Sequence, residues 1–352
     1  MRLAVLTSGG DSPGMNAAVR TVTAVGLGRG HEVLGIRGGY AGLLEGDAME
    51  MDLSTVNGIS GFGGTILGSA RSSLFPTQEG QDQAMARLDS LGIEGLVVIG
   101  GNGSLTGAHL MAQRSKSLIV GIPASIDNDI GHCGSAIGVD TAVNTIVDAC
   151  DRITDTARAH RRAFIVEVMG RQCGFLAMRA GIAAEADAIL YAESGLDEDE
   201  LTAKLRDVIR KCFNVGWHKK RVLIIKAEGV KVPTPVLVKR LQQHLTEDAP
   251  GVEIRETVLG HVVRGGRPSA FDRVIAQRMA YASVLALENG LNDVMLSWDV
   301  PGGHGKTTQD PFVRIVALED VLEETARLLD GTSPVIKARL ALLKQVEDLL
   351  LI

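Results

Sequence analysis

Residues 95–129, GLVVIGGNGSLTGAHLMAQRSKSLIVGIPASIDND, decide the fold. Leu96-Val97-Val98-Ile99 reads as a strand that ends in glycines. Ser104 to Gln113 reads as a helix, and Leu118 to Ile122 as the next strand. The same rhythm precedes it, with a strand at Leu3–Leu6, a helix at Met15–Leu27 and a strand at Glu32–Ile36. Alternating βα units of this kind predict a parallel sheet covered by helices. Further on, Val139, Val143, Ile146, Cys150, Ile153 and Ala157 form a helical stripe, with Asp148, Asp151, Arg152 and Asp155 on the other face. Strands are expected again near Ala163–Val168, Ala188–Tyr191, Arg221–Ile225 and Ile254–Leu259, then a long helix at Ser269–Leu287. The helix from Val139 is the expected domain seam, because a βαβ series flanks it on either side.

At 352 residues the chain suits one large domain or two smaller ones. Its 42 glycines cluster after apolar runs, as tight strand-to-helix loops require. The formal charge is −6, no block of five like charges occurs, and there are only three Tyr and two Trp. Nucleic-acid binding is not expected. No apolar run approaches a membrane span, and Leu3–Leu6 meets Gly-Gly-Asp too soon for a signal peptide. Cys133, Cys150, Cys173 and Cys212 lack metal-type spacing, so a cytoplasmic enzyme with reduced thiols is expected.

Two glycine loops follow strands. The first is Thr7-Ser8-Gly9-Gly10-Asp11-Ser12-Pro13-Gly14. Its glycines can admit an anion to the backbone amides at a helix N-terminus. It can equally be a plain turn, with Ser12 as N-cap and Pro13 at the first helical position. The second is Gly100-Gly101-Asn102-Gly103-Ser104-Leu105-Thr106-Gly107, at a strand's carboxyl end where open α/β sheets bind ligands. Neither has the G-x-G-x-x-G spacing. Gly302-Gly303-His304-Gly305-Lys306-Thr307 resembles a phosphate loop, but its required first glycine falls on Val300, so a surface loop is expected.

Ser125-Ile126-Asp127-Asn128-Asp129 follows the strand Leu118–Ile122. In an extended segment Asp127 and Asp129 point the same way; in a helix they would diverge by about 200°. Convergent carboxylates can hold Mg²⁺ or act as a base. A polar Asx-type turn remains the alternative. Arg71, Arg162, Arg171, Arg255 and Arg264 stand beside small or apolar residues in strand-end or loop contexts, which suits phosphate clamps. Arg158, Arg161 and Arg162 can equally complement a helix C-terminus. His160 and His261 have no paired spacing for zinc.

In combination, TSGGDSPGMNAAVR, GGTILGSAR, GLVVIGGNGS, SIDNDI, VEVMGRQCG and VLGHVVRGGRPSAFDR resemble the phosphofructokinase family, in the family's order, over residues 1 to about 300. The last fifty or so residues match weakly. The resemblance implies two similar three-layer αβα domains with mainly parallel sheets and the active site in the cleft between them. It places a nucleotide-binding domain at 1–138 plus about 262–305, and a sugar-phosphate domain at about 139–261 plus 306–352. It implies ATP binding by Gly10, Tyr40, Arg71, Ser72, Gly101, Asn102, Gly103, Ser104 and Gly107. Fructose 6-phosphate would meet Ser125, Asp127, Arg162, Met169, Gly170, Arg171, Glu228, Arg255, His261 and Arg264. Asp127 would be the base, with Arg71, Arg171 and Ser125 also catalytic, and Mg²⁺ would sit at Asn102 and Asp129. Arg162 and Arg255 would serve a neighbouring subunit's site in a homotetramer.

Some positions depart from the family pattern. Asn102 stands where ATP-using members usually carry Asp. This leaves a weakly active regulatory homologue as one alternative. Pyrophosphate-using relatives typically carry Asp at Gly103 and Lys at Ala124, so ATP is the expected donor and pyrophosphate the other alternative. Ser125 replaces Thr and keeps the hydroxyl. Arg20 and Lys219 match effector-site cations, while Ala24, Thr154 and Trp217 replace others. A weak or altered effector response is therefore expected.

Overall fold

The computed structural model describes residues 1–70, 72–214 and 219–350; side chains are described for these except Asn214 and residues 347–350. Arg71 and Trp217 lie outside the described residues. The chain divides into two compact units, Met1–Thr141 with Arg264–Leu328, and Ala142–Val263 with Leu329–Ile352.

In the first unit, β1 (Arg2–Ser8), α1 (Met15–Gly28), β2 (Glu32–Ile36), α2 (Gly39–Glu45), β3 (Ala48–Glu50), α3 (Gln78–Ser90), β4 (Gly95–Gly100), α4 (Asn102–Ala112) and β5 (Leu118–Pro123) follow one another. Helix α5 (Val139–His160) starts in this unit and continues into the second. The second unit holds β6 (Arg162–Val168), α6 (Phe175–Ala183), β7 (Ala188–Leu190), α7 (Glu198–Asn214), β8 (Val222–Ala227), α8 (Thr234–Asp248) and β9 (Glu253–Val258). The chain then adds α9 (Ala270–Glu288), β10 (Val294–Trp298), β11 (Lys306–Thr307), β12 (Val313–Ala317) and α10 (Leu318–Asp330) to the first unit, and α11 (Pro334–Leu350) to the second.

The larger sheet runs β11-β12-β10-β5-β4-β1-β2-β3, and the smaller β7-β8-β6-β9. The smaller sheet is parallel throughout; in the larger, antiparallel pairing is confined to its two ends. Central strands of the larger sheet are buried on both faces, so they read as unbroken apolar runs. Leu3, Val5, Val97, Ile99, Val120 and Ile122 pack with Met15, Val19 and Val22 of α1 and Ile275, Met279 and Val284 of α9. Gly121 faces α4, where a Cβ would lie 2.5 Å from Leu105 Cδ2.

Register sets the loops. Ser8 pairs with Gly100, and Gly100 with Pro123. The segments that leave β1, β4 and β5 therefore start at one sheet edge. In the second unit Val168 pairs with Ala227, and Glu167 with Val258, which aligns the exits of β6, β8 and β9.

Residues 306–328 belong to the first unit, not to the second as the sequence reading had it, because β12 pairs with β10 and β11 with β12. Ser12 and Pro13 do not start α1. Gly14 precedes the helix with φ 109°, and a Cβ there would meet Ile137 Cγ2 at 2.7 Å. Only glycine fits both demands.

The start of α5 is tied to α9. Asp272, fully buried, accepts from Gly138 N (2.9 Å), Thr141 N (2.7 Å) and Thr141 Oγ1 (2.5 Å). Burial raises its pKa, while these three bonds oppose the rise. Asp272→Ala strands three buried donors and should cost about 3 kcal/mol in urea unfolding. A loss under about 1 kcal/mol would mean water replaces the carboxylate.

Candidate active site

The loop after β1 is closed down by its neighbours. Gly9 has φ 86°, and Ser69 Oγ donates to its carbonyl at 2.5 Å. Arg264 donates to Asp11 O (3.2 Å), and a Cβ on Gly10 would stand 2.9 Å from its guanidinium. Arg264, expected at the sugar phosphate, thus lies beside this first glycine loop. Asn16, almost fully buried, accepts from Ile66 N (2.8 Å) and donates to the carbonyls of Phe62 and Gly63 (both 3.2 Å). It pins the 62–66 stretch, yet nothing in a lone Asn of an apolar helix signals that role.

Gly101 precedes α4, so Asn102 and Gly103 fall in the helix's first turn, two residues earlier than expected. The first amides of a helix have no intrahelical acceptor and favour an anion. A Cβ on Gly103 would meet nothing within 4 Å, so space is open above this turn. Tyr40 is buried: its hydroxyl donates to Ser104 O (2.7 Å), and its ring stacks on Phe75 at 3.7 Å. Burial raises its phenol pKa. Gly107 lies against both rings, with a Cβ 2.5 Å from Phe75 Cε1. Ser72 Oγ accepts from Phe75 N (3.0 Å) and so shapes the turn carrying that ring. Phe75 was missed in the sequence, where a single Phe before Pro carries no signal.

The segment after β5 is not extended. A turn covers 126–127, and Asn128 adopts φ 48°. Alternation therefore does not bring Asp127 and Asp129 together, and the Asx-turn alternative is closer. Ser125 organises the segment: its Oγ donates to Asp129 Oδ1 (3.2 Å) and accepts from Asp127 N (3.3 Å). Asp127, Asn128 and Asp129 are all buried. Asn102 Nδ2 donates to Asp129 Oδ2 at 2.8 Å, while Asn102 Oδ1 is buried without a hydrogen-bond partner. An unmatched carbonyl oxygen beside a carboxylate is a hard-oxygen pair that suits Mg²⁺, which keeps several waters and phosphate ligands of its own.

A family model described as phosphofructokinase matches residues 2–287. This chain belongs to the phosphofructokinase family. An ATP-dependent 6-phosphofructokinase of Thermotoga neapolitana is 48% identical over 296 residues, 84% of this chain and 89% of the relative. One from Clostridium botulinum is 43% identical over 288 residues, 82% and 86% of the two chains. Among solved structures, a phosphofructokinase from Saccharomyces cerevisiae superposes with a TM-score of 0.83 at 33% identity. It covers 96% of this chain, which spans 47% of the yeast chain.

Within this phosphofructokinase, Met169, Gly170 and Arg171 leave β6 in a tight loop. Gly170 has φ 144° and Arg171 φ 50°. Glu228 Oε1 accepts from the amides of both, at 3.1 and 2.7 Å. Glu228, expected at the sugar, therefore also fixes the backbone of the Arg171 loop. Arg162 on β6 and Arg255 on β9 both reach Glu253 Oε2, each at 3.0 Å. Bonds from Arg255 and then the charge of Arg162 hold the Glu253 carboxyl below its usual pKa. His261 is exposed, just after β9.

Lys219 Nζ lies 2.7 Å from the fully buried carboxylate of Asp187, which Arg221 also contacts at 2.7 Å. Its charge is largely spent inside the second unit. Arg20 is exposed on α1. The loop 302–305 is no phosphate cradle: Arg314 donates to the carbonyls of Gly303 (2.8 Å) and Gly305 (2.5 Å), so carbonyls rather than amides are gathered there. Among the described residues no cluster of three or more His, Cys, Asp or Glu side chains is placed to hold a metal, and no helix is long and apolar enough to cross a membrane.

His132 follows the acidic segment and stacks on His304 at 3.8 Å. Burial lowers its pKa first and His304 second, against opposing pulls from Glu324, Asp320 and Asp299. A histidine held neutral on folding stabilises above its unfolded pKa of about 6.5 and loses that contribution as pH falls below it. The thermal midpoint should therefore drop between about pH 6.5 and 5.5. His132→Asn, which keeps a residue tolerant of φ 51°, should flatten the drop. An unchanged slope would assign the drop to other groups.

Proposed function

We propose that this chain transfers the γ-phosphoryl group of ATP to the 1-hydroxyl of D-fructose 6-phosphate, giving fructose 1,6-bisphosphate and ADP. The curated relatives at 43–48% identity carry the name ATP-dependent 6-phosphofructokinase over most of both chains. The observation that carries ATP as donor is the open space at Gly103, in the first turn of α4, where an acidic side chain would close the approach of a nucleotide.

The sugar's 1-hydroxyl is a poor nucleophile, and Asp127 accepts its proton as it attacks phosphorus. Ser125 holds the segment's geometry through Asp129 and the Asp127 amide. The amides of the first turn of α4 take up phosphate charge, and Arg71 and Arg171 stabilise the transferring group. Asn102 Oδ1 and Asp129 would hold Mg²⁺, which when bound neutralises charge on the phosphates. Arg162, Arg255, His261 and Arg264 orient the sugar phosphate, so most of the acceleration is positioning. We further propose a cytoplasmic homotetramer in which Arg162 and Arg255 serve a neighbour. Exposed Val258 and Val262, close in sequence to Arg255 and His261, support that assembly.

A coupled assay with fructose 6-phosphate decides the donor. ATP should support turnover at least about 10³-fold faster than pyrophosphate, since a pocket shaped for one polar ligand can discriminate that strongly. Faster turnover with pyrophosphate would reverse the assignment. No turnover with either would favour a regulatory homologue, with Asn102 its mark.

A further inference from the structure

The segment carrying Asp127 and Asp129 belongs to no helix or strand, so something else must hold it still. Inside the segment, Asn128 folds back: Oδ1 accepts from Ala136 N (3.0 Å) and Nδ2 donates to Gly134 O (3.3 Å). Just beyond Asp129, three closely spaced anchors come from the chain's last third. Gly131 N donates to Thr325 Oγ1 of α10 at 2.8 Å. His132 O accepts from Ser297 Oγ of β10 at 2.6 Å. Gly134 N donates to Trp298 O at 2.9 Å.

The contact with α10 is the closest. A Cβ on Gly131 would stand 2.4 Å from Val321 O, 2.7 Å from Thr325 N and 2.8 Å from Glu324 Cβ. Backbone meets backbone there, so the segment cannot shift toward α10. The hydrogen bond to Thr325 stops it moving away. Thr325 is buried, so water cannot readily stand in for its oxygen. Helix α10 begins at Leu318, beyond the residues that the family model matches.

We propose that Thr325 is a positioning residue for phosphoryl transfer: through Gly131 it sets where the Asp127–Asp129 segment stands. The proposal rests on Asp127 as the base. Displacing a catalytic group by about 1 Å can cost about 10²-fold in rate, which sets the expected scale. Thr325→Val keeps the shape and removes the acceptor. It should lower kcat about 10- to 100-fold and leave both KM values within about threefold. Its kcat–pH profile should also move on the acid limb, because the base sits in altered surroundings. Thr325→Ser, which restores the oxygen, should recover kcat to within about threefold of wild type.

Rates are read per mole of folded protein, well below the thermal midpoint, and Thr325→Ala takes the place of valine if that variant does not fold. A lower midpoint with kcat and its pH profile unchanged would make Thr325 merely structural and overturn the proposal. So would a serine variant as slow as valine. Asp127→Ala run in parallel separates the two failures. If it keeps its turnover, the base assignment is wrong. If it is inactive while Thr325→Val is normal, only the positioning role falls.

Discussion

Asp127→Ala should lower kcat by about 10³-fold while the protein stays folded. General-base catalysis contributes about 10²- to 10⁴-fold, and the arginines and helix amides that take up phosphate charge survive the change. Asp129, two residues on, is held by Ser125 and Asn102 and so is not free to take its place. The KM for fructose 6-phosphate should move little, because the change leaves the proposed sugar-phosphate residues Arg162, Arg255, His261 and Arg264 in place. Far-ultraviolet dichroism and the thermal midpoint establish folding, and steady-state kinetics with both substrates the rest. Turnover within tenfold of wild type would remove Asp127 from the chemistry.

Arg162→Met combined with Arg255→Met should raise the KM for fructose 6-phosphate by about 10²- to 10³-fold. Each guanidinium bond to a phosphate is worth about 1.5–3 kcal/mol. Arg162 and Arg255 each give one nitrogen to the same oxygen of Glu253, so that carboxylate competes with a phosphate for both guanidinium groups. Glu253→Gln should therefore lower the KM by a few-fold, the opposite direction from the arginine variants. An unchanged KM in the double arginine variant would place the sugar phosphate elsewhere.

Most of the strands that were read were legible because their apolar runs are buried on both faces. Glu32–Ile36 is observed as read and the seven other strands that were read differ by a residue or two, whereas β3, β10, β11 and β12 were not read. The units part within α5, after Thr141. The pairing of the chain's last third with distant strands was not legible. Nothing local in Val313–Ala317 says that it returns to β10, so residues 306–328 were assigned to the wrong unit. The acidic segment failed for a similar reason. Its residue types pointed to the chemistry, but Asn128 leaves the extended conformation because Gly134 and Ala136, six and eight residues on, take its side chain. Glu228 was assigned by resemblance to the sugar, and its hold on the Arg171 amides came only with the loop's tertiary course. The same holds for Phe75, whose stacking on Tyr40 joins residues 35 apart.

Cys133 sits between His132 and Gly134, among the anchors of the acidic segment. It is buried, and burial pushes its thiol pKa up to about 12. At neutral pH the reactive thiolate is then scarce, and the little exposure of the thiol makes its reaction slow unless the chain opens locally. The segment thus carries its own concealed chemical clock. The rate at which Cys133 is alkylated in the intact enzyme measures how often the chain beside Asp129 comes loose, with no probe added.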